Sequence, residues 1–154
     1  RRHPCRDECG DAQAHCPKGQ ALMRYLLDTN IVSAWARKSS SALMLKLAQI
    51  PPAALCVSTL VEHELLYGFA LLPGTRAEAM TLRLLELLPS LPFGSAEARR
   101  AATMRLALAR AGKPIGPYDT LIAATALEHG LTLVTNNTRE FRRVEGLAVE
   151  DWLA

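Results

Sequence analysis

Three short apolar runs constrain this chain more than any other feature: residues 25–27, 55–57 and 131–135 are each too short for a helix, and each adjoins a longer segment with helical spacing. A strand that is apolar without alternation is buried on both faces, which requires helices on both sides of a sheet. Helical pattern occupies residues 31–36 and residues 42–50, the second ended by Pro51-Pro52. It returns from Thr59, then in a Leu-rich stretch ending near Pro89, then over residues 95–111 and from Gly116-Pro117 to His129. Residues 147–149 offer a fourth strand. The expected fold is α/β: a three-layer α/β/α sandwich with a short-stranded, mostly parallel sheet.

Local signals place the helix ends. Thr59-x-x-Glu62 and Thr75-x-x-Glu78 have the form of capping boxes. Ser95 is the expected cap of the longest helix, and Gly112 its stop. Pro117 suits a first helical position, and Gly130 ends the helix it opens.

Residues 1–22 carry neither period and mix Arg, Asp, Gly, Gln, Pro and Cys. They read as a disordered or non-native leader, and Met23 as a natural start, so one domain is expected over residues 23–154. Cys5, Cys9 and Cys16 all fall in the leader, near His3 and His15, while Cys56 is the only cysteine in the patterned region. Their spacing lacks the paired Cys-x-x-Cys turns of structural zinc sites, and neither zinc nor a disulfide is expected. A net charge of +3 permits a polyanionic partner without announcing one. No apolar run approaches the roughly 20 residues of a membrane span, and no signal peptide is visible, so a cytoplasmic protein is expected.

In open parallel sheets, ligands gather at the carboxyl ends of strands. Asp28 ends the first strand, Glu64 lies early in the helix after the second, Asp119 sits in the first turn after Gly116-Pro117, and Asn137 follows the third strand. Each has a plainer reading. Asp28 serves equally as a helix cap, Asp119 is at ease at a helix N-terminus, and Asn137 suits a turn. Glu64 resists that treatment, because the helix from Leu60 to Leu72 is apolar nearly all round and reads as buried, with Gly68 leaving room one turn on. Acids converging in a core need a cation, and hard oxygen ligands select Mg²⁺ or Mn²⁺ over zinc.

Four stretches, Leu-Leu-Asp-Thr-Asn from Leu26, Glu-Leu-Leu-Tyr-Gly from Glu64, residues 112–124 and residues 133–141, resemble VapC-type PIN-domain toxins, especially the FitB-related branch. The closing residues 144–152 are similar to the same group. The resemblance spans residues 23–154 and implies a Mg²⁺- or Mn²⁺-dependent ribonuclease, a homodimer, and inhibition by a cognate VapB-like antitoxin. It implies that Asp28, Glu64 and Asp119 are metal-binding acids and that Asn137 acts indirectly, through water. It places Glu140 at the rim of the site, and gives Thr29, Asn30 and Thr135 the task of orienting the acids. The long leader departs from the family pattern.

Two other classes bear weighing. A phosphatase on a similar sheet wants a nucleophilic Asp-x-Asp at the first strand, where this chain has Asp28-Thr29-Asn30. A non-catalytic nucleic-acid-binding module has no need to keep all three main acids. Arg139, Arg142 and Arg143 share a face if their segment is helical, whereas Arg99, Arg100, Arg110 and Lys113 scatter around theirs as ordinary surface charge.

Overall fold

A computed structural model describes residues 23–154; the expected leader, with Cys5, Cys9 and Cys16, lies outside the described residues. Five strands form one sheet: β1 (Tyr25–Leu27), β2 (Leu55–Ser58), β3 (Ser90–Leu91), β4 (Thr132–Val134) and β5 (Val149–Glu150). Their order is β3-β2-β1-β4-β5 and every neighbouring pair is parallel. β1 is central, with Tyr25 beside Leu55 on one flank and Thr132 on the other. The chain thus builds outward through β2 and β3, then crosses back to lay β4 against β1. The gap between the carboxyl ends of β1 and β4 is the topological switch point, where side chains of an open sheet meet a ligand.

Seven helices among the described residues complete the three-layer α/β/α sandwich: α1 (Thr29–Arg37), α2 (Ser41–Ala48), α3 (Thr59–Leu71), α4 (Arg76–Leu87), α5 (Ser95–Arg110), α6 (Pro117–Glu128) and α7 (Thr138–Phe141). All four residues of β2 are buried, as a strand covered on both faces requires. Its Cys56 is free, and burial pushes its thiol up to about 12, so it packs as an inert small apolar group. α6 is the inner helix: Ile122, Ala123, Ala124 and Ala126 are fully buried, their small side chains letting it lie close to the sheet. No helix of the described residues is long and apolar enough to cross a membrane.

Gly112 and Gly130 act as helix stops, each with positive φ, with Lys113 and Leu131 donating back to the carbonyls of Leu108 and Ala126. Two caps move by one residue. Ser58, not Thr59, caps α3 by accepting from the Val61 amide, so Glu62 has no reciprocal bond to make. Gly94, not Ser95, precedes α5, and Glu97 reaches back to accept from the Gly94 amide while pairing with His129 at the end of α6. That bond ties the two helices at one end, and bonding from backbone amides holds the Glu97 carboxyl below its usual range. Thr75 caps α4 as expected, but Glu78 bonds the Gly74 amide rather than that of Thr75.

The largest departure concerns α3. Only Val61 and Leu65 of it are buried, and Leu66, Tyr67, Leu71 and the adjoining Leu72 face outward. The all-round apolar helix is therefore a surface helix with an uncovered apolar side. The two-residue strand β3, directly after Pro89, has too little sequence to show a period.

Candidate active site

Asp28 is set by the sheet. Its amide donates to the Val134 carbonyl, extending the β1–β4 ladder by one residue, and its side chain caps α1 by accepting from the Thr29 amide at 2.8 Å. The plain reading and the functional one are therefore both open to it: Oδ1 caps, and Oδ2 accepts from the Thr135 hydroxyl at 2.7 Å. Thr135 also accepts from the Asn137 amide, so one hydroxyl couples the end of β4, the start of α7 and Asp28. Burial pushes the Asp28 carboxyl above its ordinary range; the Thr135 and Thr29 bonds oppose that rise and the Glu64 charge adds to it.

Glu64 comes from the second turn of α3. Thr29 donates its hydroxyl to Glu64 Oε2, which links the helix after β1 to the helix after β2. Glu64 is half-buried rather than enclosed, since the outer side of α3 is open.

Asp119 lies in the first turn of α6, with Ile122 and Ala123 fully buried behind it. Its carboxyl is pushed up to about 6, first by burial, then by a hydrogen bond with Glu140, then by the charges of Asp28, Glu140 and Glu64. Two roles were not apparent from sequence. Glu140, expected at the rim, lies close enough to Asp119 to raise its carboxyl, and so belongs to the acidic group itself. Gly116, read only as a helix start, would with a Cβ stand 3.1 Å from Asp119 Oδ2; its missing side chain leaves space for that carboxylate. The signal was the spacing of Gly116 and Asp119 across one helical turn.

The structure thus brings Asp28, Glu64, Asp119 and Glu140 into one electrostatic group at the switch point. Asn137 stands beside it as the residue before α7, its amide on Thr135. Asn30 donates its Nδ2 to Asn136, and weakly to Thr135, and leaves Oδ1 buried without a partner among the described residues. Arg139, Arg142 and Arg143 lie on and just after α7, all exposed, with Arg143 donating to the Pro114 carbonyl.

None of the four acids has a Lys, Arg or His within ion-pair distance among the described residues. Clustered carboxyls with only oxygen donors, two of them (Asp28 and Asp119) raised, suit a hard divalent cation in charge and chemistry. The orphaned Asn30 oxygen is an acceptor that a water or a hydrated ion satisfies. No group of three or more Asp, Glu, His or Cys side chains among the described residues is arranged, as it stands, to hold a metal ion.

The model of the PIN domain family matches residues 25–147. A protein of Shigella flexneri, the tRNA(fMet)-specific endonuclease VapC, is 36% identical over 133 residues, which cover 85% of this chain and 99% of that protein. Among solved structures, VapBC2 from Rickettsia felis, bound to a DNA fragment from their promoter, is similar with a TM-score of 0.75 and 30% identity over 84% of this chain and 99% of that one. FitAcB from Neisseria gonorrhoeae is similar with a TM-score of 0.74 and 29% identity over 83% and 97% of the two chains.

Proposed function

The chain belongs to the PIN-domain family, and from that premise we propose that it is the VapC-type ribonuclease of a toxin–antitoxin pair, hydrolysing RNA with Mg²⁺ or Mn²⁺. The observation that carries this reading is the group formed by Asp28, Glu64, Asp119 and Glu140, four acids around one switch point with no cationic side chain among the described residues to balance them.

Asp28, Glu64 and Asp119 would hold the ion, with Asn137 acting through water. Bound there, Mg²⁺ or Mn²⁺ polarises a phosphodiester and lowers the pKa of water for attack. The chain's own residues prepare the ground. Thr135 and the Thr29 amide fix both oxygens of Asp28, and the Thr29 hydroxyl orients Glu64. Burial and the neighbouring acids let the Asp119 carboxyl keep its proton up to about pH 6, and it must release that proton before it can act as a ligand. The open side of α3 and the exposed start of α6 leave the acids accessible to a macromolecular substrate.

A cognate VapB-like antitoxin and a second copy of the chain are the partners this reading requires. Exposed leucines support it: Leu45 on α2, Leu82 and Leu87 on α4, and Leu66 and Leu71 on α3 leave apolar side chains in water that a protein partner would cover. The test is cleavage of RNA by the purified chain, freed of antitoxin, in Mg²⁺, Mn²⁺ or EDTA. Cleavage in metal that is absent in EDTA, and absent in Asp119→Asn, is the expected result. RNA left intact in both metals, or cut equally well in EDTA, would overturn the reading.

A further inference from the structure

His63 and Tyr118 each stand immediately before one of the acids, Glu64 and Asp119, and neither has a part in the chemistry above. They meet across the two helices. Tyr118 Oη lies 3.0 Å from His63 Nε2, and the two rings are 11° from parallel with centroids 5.7 Å apart. Tyr67, one turn along α3, extends the row, its ring 16° from the plane of His63 and 6.4 Å away. Tyr118 is 41% exposed and Tyr67 60%. In a chain with only three tyrosines, two are spent on this surface, while the third, Tyr25, packs against Trp152.

The arrangement is specific in its chemistry. The near-parallel rings form a stacked row with His63 next to both tyrosines, and the bond between Tyr118 and His63 holds two of them in register before anything binds. The Tyr118 hydroxyl and His63 Nε2 satisfy each other, and the exposed rings of Tyr118 and Tyr67 at the two ends of the row are what a base can stack on. Every nucleobase has a π-face, and aromatic side chains beside a backbone-binding site are the means by which proteins seat unpaired bases. Of the exposed leucines on this helix, Leu66 adjoins Tyr67, whereas Leu71 and the following Leu72 lie a further turn along.

We propose that Tyr118, His63 and Tyr67 form a stacking platform that seats an unpaired base of single-stranded RNA next to the phosphodiester held at the acids. The proposal rests on the ribonuclease reading. A stacking surface of this kind favours unpaired over duplex RNA.

The probe is a single-stranded oligoribonucleotide carrying a fluorescent adenine analogue, mixed with the full chain in EDTA to read stacking and in Mn²⁺ to read turnover. Wild type quenches the analogue. Tyr118→Ala and His63→Ala lose the quenching and raise KM roughly tenfold, the loss of one good stacking contact, with a much smaller change in kcat and the same Mn²⁺ dependence. Tyr118→Phe, which keeps the ring, retains most of the quenching and guards against a fold defect in the alanine variant. Unchanged quenching and KM in both alanine variants would overturn the platform. So would a loss confined to kcat and Mn²⁺ affinity, which would mean that Tyr118 acts only by holding Asp119. Conversion of a dimer to a monomer with RNA affinity intact would also overturn it, as the rings would then be a subunit contact. Wild type that quenches the probe yet cuts nothing refutes the ribonuclease reading and upholds the stacking surface.

Discussion

Asp119 shows how far one residue's surroundings decide its behaviour. Its carboxyl is raised from 3.8 to about 6, chiefly by burial and by the bond with Glu140. Between those two pH values the folded chain keeps a proton that the unfolded chain has released. Stability of the metal-free protein therefore falls as pH rises through this window, and the penalty is complete above it. Asp119→Asn removes the penalty. It should raise stability by on the order of 1 kcal/mol above pH 6, after allowance for solvent screening, and by nothing below about pH 4. Melts in EDTA at both ends of the window check this, and equal melting of mutant and wild type above pH 6 would contradict it. Mn²⁺ competes with the same proton, so its apparent affinity should weaken as pH drops below about 6. Glu62 and Glu64 make the complementary case. They lie two residues apart on α3, roughly 200° around the helix, and with Ser58 as the cap Glu62 has no bond to that cap. Glu62→Gln should change stability by less than about 0.5 kcal/mol, as surface substitutions do, and leave cleavage intact. Glu64→Gln should abolish cleavage and weaken Mn²⁺ binding. An inactive Glu62→Gln beside an active Glu64→Gln would remove Glu64 from the site.

Elements were legible where a single residue type had one local job. The apolar runs became β1, β2 and β4, Pro117 opened α6, and Gly112 and Gly130 ended their helices, because φ above zero selects glycine over any residue with a Cβ. Legibility failed where two adjacent residues competed for one job. Ser58 and Thr59 are both good caps, and only the end of β2 decides between them; Gly94 and Ser95 differ in the same way. It failed too where a residue departs from its type. α1 ends at Lys38, whose φ of 50° is left-handed, with the Ser39 amide bonded back to the Ala34 carbonyl as at the glycine-ended helices. A lysine gives no sequence cue for that turn and is strained in it. Lys38→Gly should relieve the strain against a more entropic unfolded chain, for a net gain of roughly 0.5–1 kcal/mol. Chemical denaturation checks this: a midpoint that falls with an unchanged slope would show that Lys38 is held by contacts stronger than its backbone cost.

At the scale of the whole molecule, the acids converge because the chain reverses its direction of building between β2-β3 and β4. Local pattern carries no record of which strand lies beside which, so the position of each acid was readable but the Asp119–Glu140 contact was not. The same limit explains α3. Sequence shows that Leu66, Leu71 and Leu72 avoid water, but not whether their own core or another chain covers them. In the folded chain Leu71 and Leu72 are 67% and 70% exposed, and Leu87 on α4 is 78% exposed. Leu71 and Leu72 sit roughly 12 Å along α3 from His63, at 1.5 Å per residue, so one helix presents a site at its start and a sticky surface at its end. We expect a second copy to cover that end. Light scattering at micromolar concentration should then give a dimer for the wild type. Leu71→Glu combined with Leu72→Glu should give a monomer whose stability in dilute solution is little changed, because neither side chain is packed within the chain. A wild-type monomer that cleaves RNA fully would refute the dimer. A double variant that remains dimeric would move the interface to another of the exposed leucines and leave the end of α3 for the antitoxin.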